Sequence, residues 1–113
     1  MHVSQLKTGL KVKIDIKEGM EVVGGEDFQG FVTAFFGNKP KIQQWMRDYN
    51  LFEIVKIDNM ASGIFDSGEV WCFVVIKPVI IGDITEEDFS YKDENGELIH
   101  TITIENFLLE VDE

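Results

Sequence analysis

At 113 residues, 44% of them hydrophobic and 27% charged, the chain has the size and apolar content of a single domain over residues 1–113 with one core. One cysteine (Cys72), two histidines (His2 and His100) and no run of about 18 apolar residues exclude an internal disulfide, a Cys/His zinc centre and a membrane-spanning helix. The formal net charge of -11 disfavours a polyanionic ligand, and the opening Met1-His2-Val3-Ser4-Gln5-Leu6-Lys7 lacks the regions of a signal peptide, so a cytoplasmic protein is expected.

Residues 10–16, Leu10-Lys11-Val12-Lys13-Ile14-Asp15-Ile16, alternate strictly. This pattern predicts a half-buried strand, with four aliphatic side chains on one face and Lys11, Lys13 and Asp15 on the other. Lys17-Glu18-Gly19 ends it, and Gly24-Gly25-Glu26-Asp27 interrupts the chain again. The run Phe31-Val32-Thr33-Ala34-Phe35-Phe36 is too short for periodicity to assign; it is read as a strand, with Ala34 as the counter-argument. Asn38 or Lys39 then caps a helix of about 39–49 with Pro40 in its first turn. Ile42, Trp45, Met46 and Tyr49 share its buried face, Gln43, Gln44, Arg47 and Asp48 are left for water, and Asn50 is the stop.

Residues 51–58, 64–65 and 69–77 read as strands, with a turn at Asp66-Ser67-Gly68 and a stop at Pro78. Because 70–76 has no polar break, it is expected to be the central strand, covered on both faces. Thr85-Glu86-Glu87-Asp88 has the form of a helical cap for a single turn. Phe89-Ser90-Tyr91 and residues 98–104 flank a hairpin at 92–97, where Asn95-Gly96 is expected to supply the positive φ angles of a tight turn.

The fold class expected is α+β, mostly β: a small, partly open barrel with one helix and an acidic C-terminal β-hairpin. Leu6-Lys7-Thr8-Gly9-Leu10-Lys11-Val12-Lys13-Ile14, then Trp45-Met46-Arg47-Asp48-Tyr49-Asn50, Glu53-Ile54-Val55-Lys56-Ile57 and Trp71-Cys72-Phe73 occur in that order. This order resembles small SH3-like barrel proteins of bacterial phages and prophages. In those, a basic, valine and isoleucine strand is followed by a helical methionine and tyrosine segment and an isoleucine-rich strand. The resemblance covers residues 6–76 and implies an SH3-like barrel and a phage origin in a bacterial host cell. The chain departs from the pattern in lacking a glycine just after Tyr49 and in adding the acidic stretch from 83 onward.

Charge is unevenly placed. Residues 1–56 carry a net charge of +1 and residues 57–113 a net charge of -12. Asp83, Glu86, Glu87, Asp88, Asp93, Glu94 and Glu97 form the densest carboxylate cluster and are the candidate partner-binding residues. Acid/base catalysis needs carboxylates in unlike environments, and a calcium loop needs alternating ligand spacing, neither of which the cluster offers. A solvated acidic face is the plain reading; a surface that imitates nucleic-acid phosphates and fits a basic protein is the functional one.

The remaining candidates read as structural. His100 is expected on one face with Leu98 and Ile102, half-buried; Cys72 lies between Trp71 and Phe73 as a core thiol. Gly24-Gly25 lacks the rest of a phosphate-binding loop. Lys7, Lys11, Lys13 and Lys17, interleaved with Asp15, Glu18 and Glu21, read as an edge strand protected by lysine rather than a nucleic-acid stripe. The expectation is therefore a non-enzyme with no catalytic residue, metal or cofactor, no membrane contact and no direct nucleic-acid binding. It acts as a DNA mimic or inhibitor on a basic protein partner, with a self-assembling virion or connector component, a homo-oligomer, as the alternative.

Overall fold

The computed structural model describes residues 1–22 and 24–112, with backbone alone at 59–62. Strand β1 (Lys11–Ile14) is followed by three helices, α1 (Ile16–Val22), α2 (Phe28–Phe36) and α3 (Pro40–Asp48). The hairpin of β2 (Phe52–Ile64) and β3 (Val70–Pro78) comes next, then the short helix α4 (Glu86–Phe89) and a small hairpin of β4 (Tyr91–Lys92) and β5 (Leu98–Ile99). Strands β6 (Ile102–Glu105) and β7 (Leu109–Val111) complete the fold, joined by a 3-10 turn at Asn106–Leu108.

The main sheet is antiparallel in the order β6-β3-β2-β1-β7, and β4-β5 stand apart as a two-stranded sheet. It is open. Strands β6 and β7 lie at opposite edges, and the helices supply the second layer that a barrel would have made by closing on itself. The expected mostly-β SH3-like barrel with one helix is thus corrected to an α+β sheet covered on one face by helices. Strand β1, expected at an edge, lies between β2 and β7, and the central strand is β2 rather than β3.

Two helices stand where the sequence pattern points to other structure. Residues 31–36, read as a strand, belong to α2, because Phe28, Phe31, Val32, Phe35 and Phe36 fall on one helical face. Asp27 caps this helix, accepting the Gly30 N–H at 2.8 Å. Helix α1 begins where β1 was expected to run on. The Asp15 carboxylate accepts the Glu18 N–H at 3.1 Å and its carbonyl accepts the Gly19 N–H at 2.9 Å, starting a helical turn at Ile16, which was read as the last residue of the strand. Gly19 is buried, and a Cβ there would come within 2.5 Å of the Phe31 ring, so α1 and α2 meet at a residue without a side chain.

Helix α3 forms as expected, with Lys39 at its cap and Pro40 in its first turn. Ile42, Trp45 and Met46 enter the core, but Tyr49 stays exposed and Gln43, expected in water, is buried and donates from Nε2 to Thr33 Oγ1 at 3.0 Å. The core joins Val12, Ile14, Phe52, Ile54, Val74, Ile76 and Ile104 of the sheet to Phe31, Val32, Ile42, Trp45 and Met46 of the helices. Trp45 crosses Phe52 and Phe89 edge to face at 5.5 and 5.0 Å between centroids, and its Nε1–H donates to the Ile81 carbonyl at 3.1 Å.

Residues 98–104 do not form one strand: β5 pairs with β4, and after His100-Thr101 the chain enters the main sheet as β6. The Asn95-Gly96 turn is also of another type. Gly96 has φ 78°, whereas Asn95 is not left-handed, and the loop is closed by Gly96 N–H to Asp93 carbonyl at 3.1 Å and Asp93 N–H to Glu97 carbonyl at 3.0 Å. The turn at 66–68 is present, with Phe65 and Glu69 joined at 2.8 Å.

Asn50 has φ 44° and ends α3, and its carboxamide also clips β1, accepting the Ile14 N–H at 3.1 Å and donating to the Ile14 carbonyl at 2.9 Å. Asn50→Gly keeps the left-handed backbone and removes both bonds, with an expected loss of about 1–3 kcal/mol in urea unfolding. Asn50→Ala adds backbone strain and should lose more; stability equal to the parent in both variants would show that the clip contributes nothing.

Candidate partner-binding surface

The seven candidate carboxylates fall into two groups, both beyond the Pro78 end of β3. Asp83, Glu86, Glu87 and Asp88 lie on α4 and the loop before it; Asp93, Glu94 and Glu97 lie in the loop between β4 and β5. Asp83, Glu86, Glu87, Glu94 and Glu97 are exposed. Asp88 and Asp93 instead hold the local structure.

Asp88 and Thr85 form a reciprocal cap on α4. The Thr85 N–H donates to Asp88 Oδ2 at 2.8 Å, and Lys41 of α3 approaches the same oxygen at 3.5 Å. The backbone bond from Thr85, with Lys41 behind it, holds the Asp88 carboxyl below the usual aspartate range. Lys39 donates to the Asp88 carbonyl at 3.1 Å, so two cations of α3 fix α4 in place. Asp93 accepts the N–H groups of Asn95 and Glu97, each at 2.9 Å, and so shapes the hairpin loop.

The ribbon that carries the second group also exposes large apolar side chains. Tyr91 is 52% and Leu98 61% exposed, one on each face of the β4-β5 ribbon, where Tyr91 pairs with Ile99 and Lys92 with Leu98. The ribbon stands apart from the main sheet, which the sequence did not show; on the face of Tyr91, Ile99 is half-buried, and Tyr91 lines a hollow with Ala34, Phe35, Ile102 and Thr103. Beside α4 a hollow of about 120 Å³ is lined by Lys41, Gln44, Trp45, Asp48, Tyr49, Asp83 and Ile84. A second hollow beside α4, wider and open to solvent at about 350 Å³, is lined by Asn38, Lys39, Pro40, Lys41, Ile42, Glu87 and Asp88.

Cys72 is buried in the core on β3, and burial pushes its thiol pKa up. His100 is half-buried at the junction between β5 and β6 rather than within a strand. Lys11 and Lys77 flank Glu53 across three strands of the solvent face at 2.5 and 3.6 Å, and the Lys11 bond holds the Glu53 carboxyl low. Lys13 reaches Asp112 at 3.8 Å. Among the described residues no group of three or more His, Cys, Asp or Glu is placed to hold a metal ion, and no helix is long and apolar enough to cross a membrane.

Comparison with protein-family models, with curated proteins and with solved structures gave no match for this chain.

The capping pair sets a pH dependence. Because the folded Asp88 pKa lies below its unfolded value, its contribution is full at neutral pH and is lost as pH falls through the folded pKa. Asp88→Asn should flatten that part of the acid limb in thermal unfolding followed from pH 6 downward, and Thr85→Ala should cost about 0.5–2 kcal/mol at neutral pH. Cys72 should resist a disulfide reagent at pH 8 until the protein is unfolded; rapid labelling of the native protein would show an accessible thiolate.

Proposed function

We propose that the chain is a non-enzymatic protein-binding module whose acidic C-terminal surface engages a basic protein partner. The observation that carries this reading is the exposure of Asp83, Glu86 and Glu87 at α4 and of Glu94 and Glu97 in the β4-β5 loop, with Tyr91 and Leu98 exposed on the ribbon that bears that loop. Carboxylates steer a basic partner from a distance, and exposed apolar side chains supply the adhesive contact once water is expelled. A partner that handles nucleic acid carries the complementary groove, and occupying that groove makes the module a competitive inhibitor and nucleic-acid mimic.

An accessory role in a phage or prophage, acting in the bacterial host cytoplasm, is the role the motifs of residues 6–76 suggest. With an open sheet, that part of the proposal rests on the motifs and not on a barrel. Self-assembly through the edge strands is the weaker reading. Both edges, β6 and β7, are short and carry Glu105 and Glu110, which blunt strand addition.

The test is affinity capture from nuclease-treated bacterial lysate, followed by binding kinetics with the purified partner. Glu86→Lys/Glu87→Lys leaves the Asp88 cap in place and is the variant of choice. A partner whose association slows as ionic strength rises from about 0.05 to about 0.5 M, and which the variant binds at least about tenfold more weakly, supports the proposal. Binding that ignores both salt and charge reversal would sink it.

A further inference from the structure

The β2-β3 hairpin is longer than the strands on either side of it. Strand β1 pairs with β2 at Phe52 and Glu53, and β6 pairs with β3 from Phe73 to Ile76, so the far end of the hairpin extends past both neighbours. It is held by its own ladder from Ser62–Cys72 to Ile64–Val70 and by the bond from the Cys72 N–H to Asn106 Oδ1 at 2.9 Å.

Both faces of this tip are apolar. Ile64, 73% exposed, and Val70, 47% exposed, stand opposite each other on the face that elsewhere in the sheet is covered by core. On the other face Trp71 lies across from Gly63 and crosses Phe73 edge to face at 5.3 Å, and Phe65 meets Phe107 at 5.3 Å. A Cβ at Gly63 would come within 2.6 Å of the indole, so glycine lets the ring lie against the hairpin. The rings stiffen a projection on which Ile64 stays largely and Val70 about half exposed, the property of an interaction surface.

Charge selects the occupant. Residues 62–72 contain Asp66 and Glu69 and no lysine or arginine, and Glu105 of β6 stands across from Phe73. Asp66 and Glu69 are exposed in the turn itself. Nucleic acid and anionic lipid are repelled, and a second copy would set one acidic rim against another on molecules of net charge -11. We propose that the β2-β3 tip docks a polypeptide segment of a partner protein in which apolar side chains alternate with lysine or arginine. This surface lies at the opposite end of β3 from the carboxylates beyond Pro78 and does not depend on them.

The test uses the full chain and three short synthetic peptides, alternating Lys with Leu, Glu with Leu, and Lys with Ser. The readout is calorimetry together with the two indole N–H signals, since Trp71 lies at the tip and Trp45 is tied to Ile81 in the core. The Lys/Leu peptide should bind and move the Trp71 signal, the other two should not, and Ile64→Ser/Val70→Ser should weaken binding at least about tenfold. Should that variant fail to fold, Asp66→Lys/Glu69→Lys reverses the turn charge without touching a packed side chain and should weaken the same peptide. No binding of the Lys/Leu peptide, equal binding of the Glu/Leu peptide, or a loss seen only with Glu86→Lys/Glu87→Lys overturns the proposal. Concentration-dependent self-association abolished by Ile64→Ser/Val70→Ser overturns it in favour of a second copy.

Discussion

Two asparagine carboxamides do the work of missing backbone. In the β1-β2 register Lys11 faces Glu53 and Val12 faces Phe52, so two positions further on the register would set Ile14 against Asn50. The chain at Asn50 is left-handed and has already turned into α3, and its side chain meets both main-chain groups of Ile14 instead. Asn106 repeats the device on the far side of the sheet. Phe73 faces Glu105, the next position sets Cys72 against Asn106, and there the buried Asn106 accepts the Cys72 N–H while donating to the Met1 carbonyl at 2.7 Å. An unmet buried main-chain group costs about 1–3 kcal/mol, so these two residues let short strands end abruptly inside a packed structure.

Those abrupt strand ends divide the labour between the two faces of the sheet. Strand β1 is four residues long, and because Asn50 completes its pairing the chain can enter α1 at once and lay three helices over one face. The opposite face stays in water and is organised by charge at one end, where Lys11, Glu53 and Lys77 cross three strands, and by aromatic contact at the other, where Trp71, Phe73, Phe65 and Phe107 meet. Exposed ion pairs contribute little to stability, so the core and the aromatic group carry most of the cohesion.

Local patterns in the sequence were sufficient wherever one face of one element decided the structure. The alternation around Val12 and Ile14, the helical spacing of Ile42, Trp45 and Met46, the Thr85-to-Asp88 cap and the turn at 66–68 all stand as read. Reading failed where a residue could serve two patterns. Ile16 continues the alternation of β1 yet opens α1, since Asp15 caps the turn; Phe28 sits ahead of Gly30, outside the apolar run whose helical phase it sets. Gln43 looks like a solvent residue until Thr33 of a different helix receives its amide. Pairing order has no local signature, so the place of β1 in the middle of the sheet and the openness of that sheet were beyond periodicity. For the candidate surface, the sequence located all seven carboxylates but not that Asp88 and Asp93 are occupied by capping and loop closure.

The uneven charge then takes on a structural meaning. A sheet with two open edges and a projecting apolar hairpin is prone to add strands from another copy. Both edges are short and bear Glu105 and Glu110, and the hairpin turn bears Asp66 and Glu69, so each place where two copies could join presents like charges to each other. The same carboxylates leave a basic chain unopposed. An exposed Ile64, which on an uncharged surface would favour self-association, here stands beside like charges that oppose it. The net negative charge of residues 57–113 thus makes exposure tolerable where the fold leaves apolar side chains uncovered, whereas residues 1–56, which build the three-helix layer, are close to neutral at +1.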